Sequence, residues 1–457
     1  MNQHLLPEFK NVMILSLSNL FLRIFGEIYR IYLIRHLGAE AFGLLGMVFP
    51  FYRLVVIFVT MGLPTTLARL TAIENAKNNS AQILETKKNT FFLVTIPATF
   101  FSLILFIYSD SMGRLFYNDY RTGPILKFLG LTLLLNSLSI VYHGYFRGLN
   151  KPIPLACSNI SEILGEAAFV FSILLTSLIT SAEKGACLLA KGFLVGESIC
   201  LLLLLIYDRI NIAPKLKTTA TSSPIKRDFI GLLRASLPIM TQQLLLSISR
   251  ITDGFLLPKL LRQGGLTPSL IAKELGEYWS MATPLLFFPL FLFSPVSTLI
   301  LPATAKMSVK KDLPLFLRKI RYLLGFAFLY GLIVSFLLLR YGKALSLILY
   351  KTTSATKFFP FLLPALPFMI INNLLIPIAE GLGKQIFLLQ VTLILIVIKT
   401  GVSAAFVPLP DFGLAGAAWG LTFSQILFSL LLLKETVFHP QILPKKKIAL
   451  VDSSGLD

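Results

Sequence analysis

The sequence predicts an all-α integral membrane protein in which two six-helix lobes, related by a parallel repeat, place twelve transmembrane helices around a central cavity. Composition, the spacing of apolar stretches and an internal repeat all indicate this fold class. Apolar residues make up 55% of the 457 residues, charged residues make up 14%, and the mean hydropathy is +0.77. Soluble domains carry about 25% charged residues. This chain has too few charges to cover a water-facing surface, so its solvent is expected to be lipid.

The net charge and the cysteines exclude several other classes of protein. The formal net charge of +20 fits an excess of lysine and arginine in cytoplasmic loops, and no nucleic-acid-binding motif accompanies it. The three cysteines lie in apolar runs without the spacing of a metal site, as small buried apolar residues do. We therefore expect no metal, no cofactor and no nucleic-acid partner.

The apolar stretches define the organisation of the chain. A transmembrane helix needs about 20 mainly apolar residues, and that rule finds twelve stretches. They divide the sequence into an N-terminal lobe (1–210), a cytoplasmic linker (211–228), a C-terminal lobe (229–434) and a basic cytoplasmic tail (435–457). The stretches are 11–35, 41–68, 89–109, 123–146, 155–180, 186–207, 229–260, 276–305, 320–340, 358–380, 385–408 and 413–434.

The basic residues between the stretches predict the orientation. With the N-terminus inside, the inner segments hold roughly twice as many lysines and arginines as the outer segments, and cytoplasmic loops carry such an excess. We therefore expect a multi-pass protein of the cell membrane with both termini in the cytoplasm.

Short motifs recur in the same order in the two halves of the chain, at similar offsets. Because six stretches precede the linker and six follow it, the halves share one orientation, as in a parallel repeat about an axis along the membrane normal. Two such lobes around a cavity are typical of alternating-access transporters. The matching segments are Leu37–Thr66 with Leu275–Thr304, Gly148–Lys151 with Gly381–Lys384, and Gly185–Cys187 with Gly416–Ala418.

Charged side chains inside the predicted helices are the candidate binding residues. Such charges are costly in a membrane and usually face a cavity or a partner. Arginines outnumber acids in this set, which leaves positive charge for a polyanionic ligand, and the guanidinium fork suits phosphate. The alternative is that the acids only neutralise neighbouring arginines and hold helices together. The proposed binding residues are Arg23, Arg30, Arg53 and Arg250, with Glu27 and Asp253 as cavity acids.

A second polar set lies mainly on the fifth and sixth predicted helices. Glu162 and Glu166 follow Ser158 at a spacing of one helical turn, Lys191 and Glu197 lie on the sixth helix, and Lys399 lies on the eleventh. Two interpretations stay open: a cation or proton relay that couples transport to an ion, or internal ion pairs that hold the fifth and sixth helices together. Asn136, His143 and Arg147 share one face of the fourth helix, where a lone histidine is typical of hydrogen-bonded packing.

Enzymatic activity is not indicated by any motif. The sequence contains no Walker motif, no H-E-x-x-H and no G-x-S-x-G, which are the signatures of ATP-driven, zinc-dependent and serine-dependent chemistry. A polytopic glycosyltransferase would need a large outer loop with catalytic side chains, and it would leave the repeat unexplained. We therefore expect a protein that is not an enzyme.

Several segments form a recognisable pattern: Arg23–Arg30, Arg35–Glu40, Phe49–Tyr52, Gly62–Pro64, and Leu232–Pro238 with the following Asp253 and Pro258-Lys259. These segments resemble the stage V sporulation protein B family. Gly413–Ala418 resembles the loop before a late helix across the wider multidrug, oligosaccharidyl-lipid and polysaccharide exporter superfamily. The resemblance covers all twelve predicted helices and is most specific in the first, second, seventh and eighth.

The resemblance implies a flippase that moves polyprenyl-diphosphate-linked sugars, such as peptidoglycan or polysaccharide precursors. In related lipid II flippases, arginines of the first two helices and of the second lobe line the central cavity, and the matching positions are Arg23, Arg30, Arg53 and Arg250. Such flippases often have fourteen helices where this chain has twelve, which leaves the path of the lipid tail open. The alternative is a drug or cation antiporter of the same fold, which would have a cavity dominated by carboxylates. The expected partners are the lipid-linked sugar and the bilayer, with an unidentified coupling ion.

The orientation can be tested by labelling single cysteines in whole cells. Cysteines placed near Asp119 and Lys351 should react with a membrane-impermeant reagent added from outside, whereas cysteines near Lys217 and Lys446 should not. Reaction near Lys217 from the outside would contradict the predicted orientation.

Overall fold

In the computed structural model the described part of the chain comprises residues 5–176, 181–212, 229–309 and 313–438, with Ile179, Pro214 and Leu216. These residues are almost entirely helical, and no strand occurs among them. Most of the predicted linker, and the predicted tail beyond residue 438, lie outside the described residues.

Thirteen longer helices form the described structure. Between them lie short helical pieces that continue or bend a longer element, such as Ser109–Met112, Gly113–Tyr117, Glu277–Ala282 and Phe288–Phe293. The longer helices are α1 (Leu5–Thr60), α2 (Leu63–Ala76), α3 (Ser80–Ile107), α4 (Thr122–Gly148), α5 (Pro152–Thr176), α6 (Ala182–Tyr207), α7 (Phe229–Gln263), α8 (Pro268–Gly276), α9 (Ser294–Val309), α10 (Leu313–Tyr350), α11 (Leu366–Gly381), α12 (Gln385–Phe406) and α13 (Leu414–Leu433).

Each predicted apolar stretch coincides with helix in the described residues, and the multi-pass membrane class is confirmed. Nine helices there are long and apolar enough to cross a membrane, or ten if the bent pair Pro268–Phe293 and Pro295–Leu301 is one span. The first of them, Leu17–Thr60, holds most of the first two predicted stretches. These two stretches are separated by a break in α1 at Gly38, where φ is 79°. Helix α7 coincides with the seventh predicted stretch but is not among those nine, and its several charged residues lower its hydropathy.

The second predicted stretch, 41–68, is interrupted where the sequence indicated one helix. Helix α1 ends at Thr60, Met61 and Gly62 adopt positive φ values of 49° and 69°, and α2 begins with Pro64 in its first turn. Glycine tolerates the left-handed conformation, and proline is favoured in the first turn of a helix because it has no N–H to lose there. The chain therefore changes direction at Met61-Gly62 and continues as helix to Ala76.

The described chain forms two compact units. The first contains residues up to Lys259 together with Thr267–Gly276, and the second contains Leu260–Leu266 and the residues from Glu277 onwards. Helix α8 and most of α7 therefore pack with the first six predicted spans. The lobe boundaries 1–210 and 229–434 are predicted from the sequence repeat. Packing divides the chain by a different criterion, so these boundaries stay a prediction.

In the first unit, helix α8 crosses α1 at a pair of glycines. A Cβ built on Gly43 would lie 1.6 Å from the carbonyl oxygen of Ala272, and one built on Gly276 would lie 1.8 Å from that of Ala39. Only glycine leaves room for backbones this close, and small residues mark tight helix crossings in membrane proteins. The crossing fixes α8 against the segment of α1 that follows the Gly38 break.

Beside that crossing, a charged network ties three elements of the first unit together. The Arg121 guanidinium donates to Glu40 at 2.6 Å and to Asp119 at 2.7 Å, and the Ser269 hydroxyl donates to the same Glu40 oxygen at 2.6 Å. The hydrogen bond to Asp119 is the main cause that raises the pKa of Arg121 above its ordinary value. The network holds the loop before α4 and the start of α8 against α1.

In the second unit, side-chain amides connect α11 and α13. The Asn372 amide donates to the Gln425 side-chain oxygen at 2.8 Å, and the Ser429 hydroxyl donates to the Asn372 side-chain oxygen at 2.7 Å. Asn372 and Ser429 are buried. Polar side chains that bond across helices are worth about 0.6–2 kcal/mol each in membrane bundles, so this network specifies how the two helices pair.

The α1–α8 crossing can be tested by adding a side chain at Gly43. The Gly43→Val change should greatly reduce the yield of folded protein, because the added atoms have no space beside the Ala272 carbonyl, and overpacking typically costs about 1–3 kcal/mol or more. The measurement is the monodisperse fraction in size-exclusion chromatography and the melting temperature in detergent.

The Gly325→Val change in α10 is the matched control, because a Cβ on Gly325 would meet no atom within 4 Å. If Gly43→Val matched Gly325→Val in yield and melting temperature, the tight crossing would be disproved.

Candidate functional site

Arg53 lies on the second segment of α1, within a run of otherwise apolar residues. Tyr52, Val55, Val56 and Val59 are buried and hold this segment in the first unit, whereas Arg53 is exposed. Its guanidinium stands over the ring of Phe49, 5.5 Å from the centroid, a cation–π arrangement worth about 0.5–2 kcal/mol. The contact orients the guanidinium without neutralising its charge.

Arg53 lines a cavity of about 460 Å³ in the first unit, which we call the arginine cavity. Segments of α1, α2, α4 and α7 form its walls, and its volume suits a small ligand or the headgroup of a larger one. The lining residues are Arg53, Val56, Ile57, Thr60, Pro64, Thr65, Ile140, His143, Gly144, Arg147, Gln243 and Ser247.

Two glycines place α4 at the wall of the arginine cavity. A Cβ on Gly144 would lie 2.3 Å from the Pro64 carbonyl oxygen, and one on Gly148 would lie 2.6 Å from that of Ala68. The backbone of α4 therefore rests directly on α2. This close approach brings His143 and Arg147 to the cavity beside the start of α2.

The lining of the arginine cavity is cationic. Arg53 and Arg147 are its charged residues, and no aspartate or glutamate is among the lining residues. Gln243, Ser247 and Thr65 add groups that can donate and accept hydrogen bonds. Paired arginines bind phosphate or carboxylate through parallel N–H donors, so the arrangement fits an anionic ligand that also carries hydroxyl groups.

The arginines predicted on the first segment of α1 lie elsewhere. Arg30 forms an ion pair with Glu27, one turn away on the same helix, and both side chains are partly exposed at 29% and 40%. Arg23 is exposed and interacts electrostatically with Glu27. None of the three lines the arginine cavity. The structure thus pairs Arg30 locally and brings only Arg53 of the α1 arginines to this cavity.

Arg250 and Asp253 lie on α7 beyond the cavity lining. Arg250 is exposed and follows Gln243 and Ser247 at spacings of seven and three residues, which places the three residues on one helical face. Neither Arg250 nor Asp253 is among the lining residues. Arg250 therefore continues the polar face of α7 by about one turn past the cavity.

Behind Arg53, three carboxylates form what we call the acid cluster: Glu162, Glu166 and Glu197. Glu166 and Glu197 are buried, at 8% and 4% exposure, and the Asn136 amide donates to Glu197 at 2.9 Å. Glu162 interacts electrostatically with both Glu197 and Arg53, and Glu197 also interacts with Arg53. Glu162 and Glu197 are thus in the field of the same guanidinium that lines the arginine cavity.

Lys191 is not ion-paired with the acid cluster, and the two interpretations of this polar set stay predictions. Among the described residues, no carboxylate lies within ion-pair distance of Lys191, whose ammonium stands 5.0 Å from the centre of the Phe128 ring. Glycine again permits the packing, since a Cβ on Gly196 would lie 2.6 Å from the Glu162 carbonyl oxygen. Helix α6 rests on α5 through backbone contact, with the acids beside it.

Sequence reasoning did not assign Arg147 to the site. Its side chain shares a face of α4 with His143, and His143 places a ring nitrogen 3.1 Å from the Ser158 hydroxyl, as the packing interpretation predicted. The spacing Ile140, His143, Gly144, Arg147 was a usable signal, because it puts a small residue, an imidazole and a guanidinium on one face. The spacing alone does not show which helix packs against α4, and in the structure that helix is α2.

Comparison with known proteins gives one family and a set of relatives. The family described as "Polysaccharide biosynthesis protein" matches residues 9–308. Stage V sporulation protein B of Bacillus subtilis (strain 168) is 23% identical over 428 residues, which cover 92% of this chain and 82% of that protein. The resemblance read from the sequence is thereby confirmed.

Solved structures share the fold. The inward-facing conformation of a multidrug resistance MATE family transporter of the MOP superfamily superposes with a TM-score of 0.69 and 15% identity, covering 97% of this chain and 100% of that one. The lipid II flippase MurJ, in an inward closed conformation, superposes with a TM-score of 0.62 and 16% identity, covering 92% of this chain and 87% of that one. These likenesses confirm the predicted all-α membrane fold.

Proposed function

Because this chain belongs to the polysaccharide biosynthesis protein family, we propose that it is a flippase that moves polyprenyl-diphosphate-linked sugars across the cell membrane by alternating access. The observation that carries the proposal is the arginine cavity, whose charged lining residues are Arg53 and Arg147 and which contains no lining carboxylate. A solved structure that shares this chain's fold is named as a lipid II flippase, and lipid II carries such a diphosphate.

The diphosphate is the part of the substrate that the arginine cavity recognises. Each phosphate carries negative charge, and a guanidinium can donate two parallel hydrogen bonds to one phosphate group. Arg53 and Arg147 would bind the diphosphate, and Gln243 and Ser247 would bond to the sugar hydroxyls. The lipid tail would stay in the bilayer, where its apolar surface costs nothing to solvate.

The other predicted arginines are proposed to bind the same diphosphate later in transport. In the predicted orientation, Arg30 on α1 and Arg250 on α7 lie farther toward the outer face than Arg147, and Arg23 lies near mid-depth. We propose that these residues receive the diphosphate after the arginine cavity releases it, as the two lobes rock. Glu27 and Asp253 would neutralise this second group of arginines while the substrate is absent.

The acid cluster is proposed to couple transport to a cation. Glu162 and Glu197 share the field of Arg53, so a substrate phosphate at Arg53 competes with them for the same positive charge. Carboxylates that lose a nearby cation bind a proton or another cation more readily. Substrate binding and cation uptake at Glu162, Glu166 and Glu197 would then be linked, and linkage is reciprocal.

A drug or cation antiporter of the same fold is the second candidate. The buried acid cluster is the observation in its favour, since carboxylates attract cations. Those carboxylates do not line the arginine cavity, whose charged groups are both cations. A cationic drug would be repelled there, so the acids fit a coupling role better than a substrate role.

The substrate site can be tested by changing Arg53 and Arg147. Arg53→Ala and Arg147→Ala should each weaken binding of a polyprenyl-diphosphate sugar by roughly 30-fold or more, because removing one partner of a charged contact that the bound substrate buries costs about 2–5 kcal/mol. The Arg→Lys changes should restore only part of the affinity, since lysine keeps the charge and loses the bidentate fork. The measurements are binding to purified protein and flipping in proteoliposomes.

Arg318→Ala is the matched control, because Arg318 is an exposed arginine of α10 in the other unit, and it should bind like wild type. Wild-type binding and flipping by the Arg53→Ala, Arg147→Ala double variant would contradict the proposed function.

The coupling role can be tested with Glu197→Gln. This change removes the charge while the side chain can still accept from Asn136. Substrate affinity should equal or exceed that of wild type, because Arg53 loses a competing acid, while flipping should no longer respond to an imposed proton or sodium gradient. The measurement is flipping in proteoliposomes with and without each gradient.

Glu380→Gln, at an exposed glutamate of α11, is the control and should leave the response of flipping to each gradient unchanged. If Glu197→Gln kept a full gradient response, the acid cluster would be structural.

A further inference from the structure

A second cationic concavity lies on the surface of the first unit, between α5 and α6 and apart from the arginine cavity. Its volume is about 460 Å³, and it shares no lining residue with the arginine cavity. One wall is apolar and the other carries charge. The lining residues are Phe169, Ile173, Ile179, Glu183, Lys184, Cys187, Leu188 and Lys191, and we call this concavity the lipid groove.

Lys191 is the residue of the lipid groove that most needs explanation. It lies nine residues after the start of α6, a helix of 26 residues that is apolar enough to span a membrane. At about 1.5 Å per residue, the helix is about 39 Å long and extends past both sides of a hydrocarbon core of about 30 Å. The Cα of Lys191 would then lie about 9 Å inside that core, where a lysine is costly.

The ammonium of Lys191 is accessible. The side chain is exposed, and its ammonium is 5.0 Å from the centre of the Phe128 ring. No carboxylate of the described residues lies within ion-pair distance of it. A lysine at this depth can reach toward the headgroup region with its four-carbon stem, where lipid phosphates lie.

The rest of the lipid groove matches the same ligand. Lys184 lies two turns nearer the start of α6, on the face of Lys191. Leu188 lies between the two lysines along α6, and Phe169 and Ile173 of α5 complete an apolar wall beside them. Two lysines beside an apolar wall are complementary to an amphiphile with an anionic head and an acyl chain.

We propose that the lipid groove is a binding site for an anionic phospholipid, with the phosphate on Lys191 and Lys184 and one acyl chain along Phe169 and Ile173. Two lysines and one glutamate line the groove, which leaves one net positive charge and matches a lipid with one net negative charge. A zwitterionic lipid would leave that charge unbalanced. The site is independent of the proposed flipping of lipid-linked sugars.

The test is native mass spectrometry of the full chain in detergent with added phosphatidylglycerol, phosphatidylcholine or inorganic phosphate. Wild-type protein should retain one phosphatidylglycerol more tightly than phosphatidylcholine, and millimolar inorganic phosphate should not displace it. Lys191→Ala should weaken that binding about tenfold or more, as expected for loss of a charge-assisted contact, and Lys191→Arg should keep it.

Two further variants make the result specific. Lys343→Ala, at an exposed lysine of α10, should bind phosphatidylglycerol like wild type. Ile173→Trp should fill the apolar wall and weaken binding while both lysines remain. Unchanged binding by Lys191→Ala, equal retention of phosphatidylcholine, or displacement by inorganic phosphate would each overturn the proposal.

Discussion

Helices in a membrane gain nothing from the hydrophobic effect when they associate, because lipid tails solvate apolar side chains as well as another helix does. Their association depends on close packing instead, and this chain achieves it with glycine. Gly43 and Gly276 bring α1 to α8, Gly144 and Gly148 bring α4 to α2, and Gly196 brings α6 to α5. The positions of the arginine cavity and the acid cluster follow from these backbone contacts.

The same helix contacts keep the arginines of the cavity apart from the acid cluster within the first unit. With α4 resting on α2, Arg147 reaches the cavity that Arg53 lines, whereas the packing of α6 on α5 holds Glu162 and Glu197 behind Arg53. Arg53 therefore faces a cationic cavity on one side and acids on the other. Because both sites interact with Arg53, an anion bound in the cavity and a cation bound at the acids would influence each other's binding.

Much about this protein follows from the sequence, because hydropathy and residue spacing are properties of the linear chain. The apolar stretches gave the membrane class and the helix positions, and the segments around Arg23–Arg30 and Gly62–Pro64 indicated the family that comparison confirms. Arg53 was selected because an arginine within an apolar run needs a cavity or a partner. These inferences hold because a span must satisfy its own backbone and match the bilayer without help from distant residues.

Only the tertiary structure decided which charged residues meet. It paired Arg30 with Glu27, brought Arg147 to Arg53, and set Lys191 over Phe128 instead of against the acids. It also divided the second predicted span at Met61-Gly62. Each outcome depends on which helix lies alongside, and that choice comes from the three-dimensional fit of small residues at helix crossings. Helical periodicity shows which face a side chain occupies, but the fold determines what that face touches.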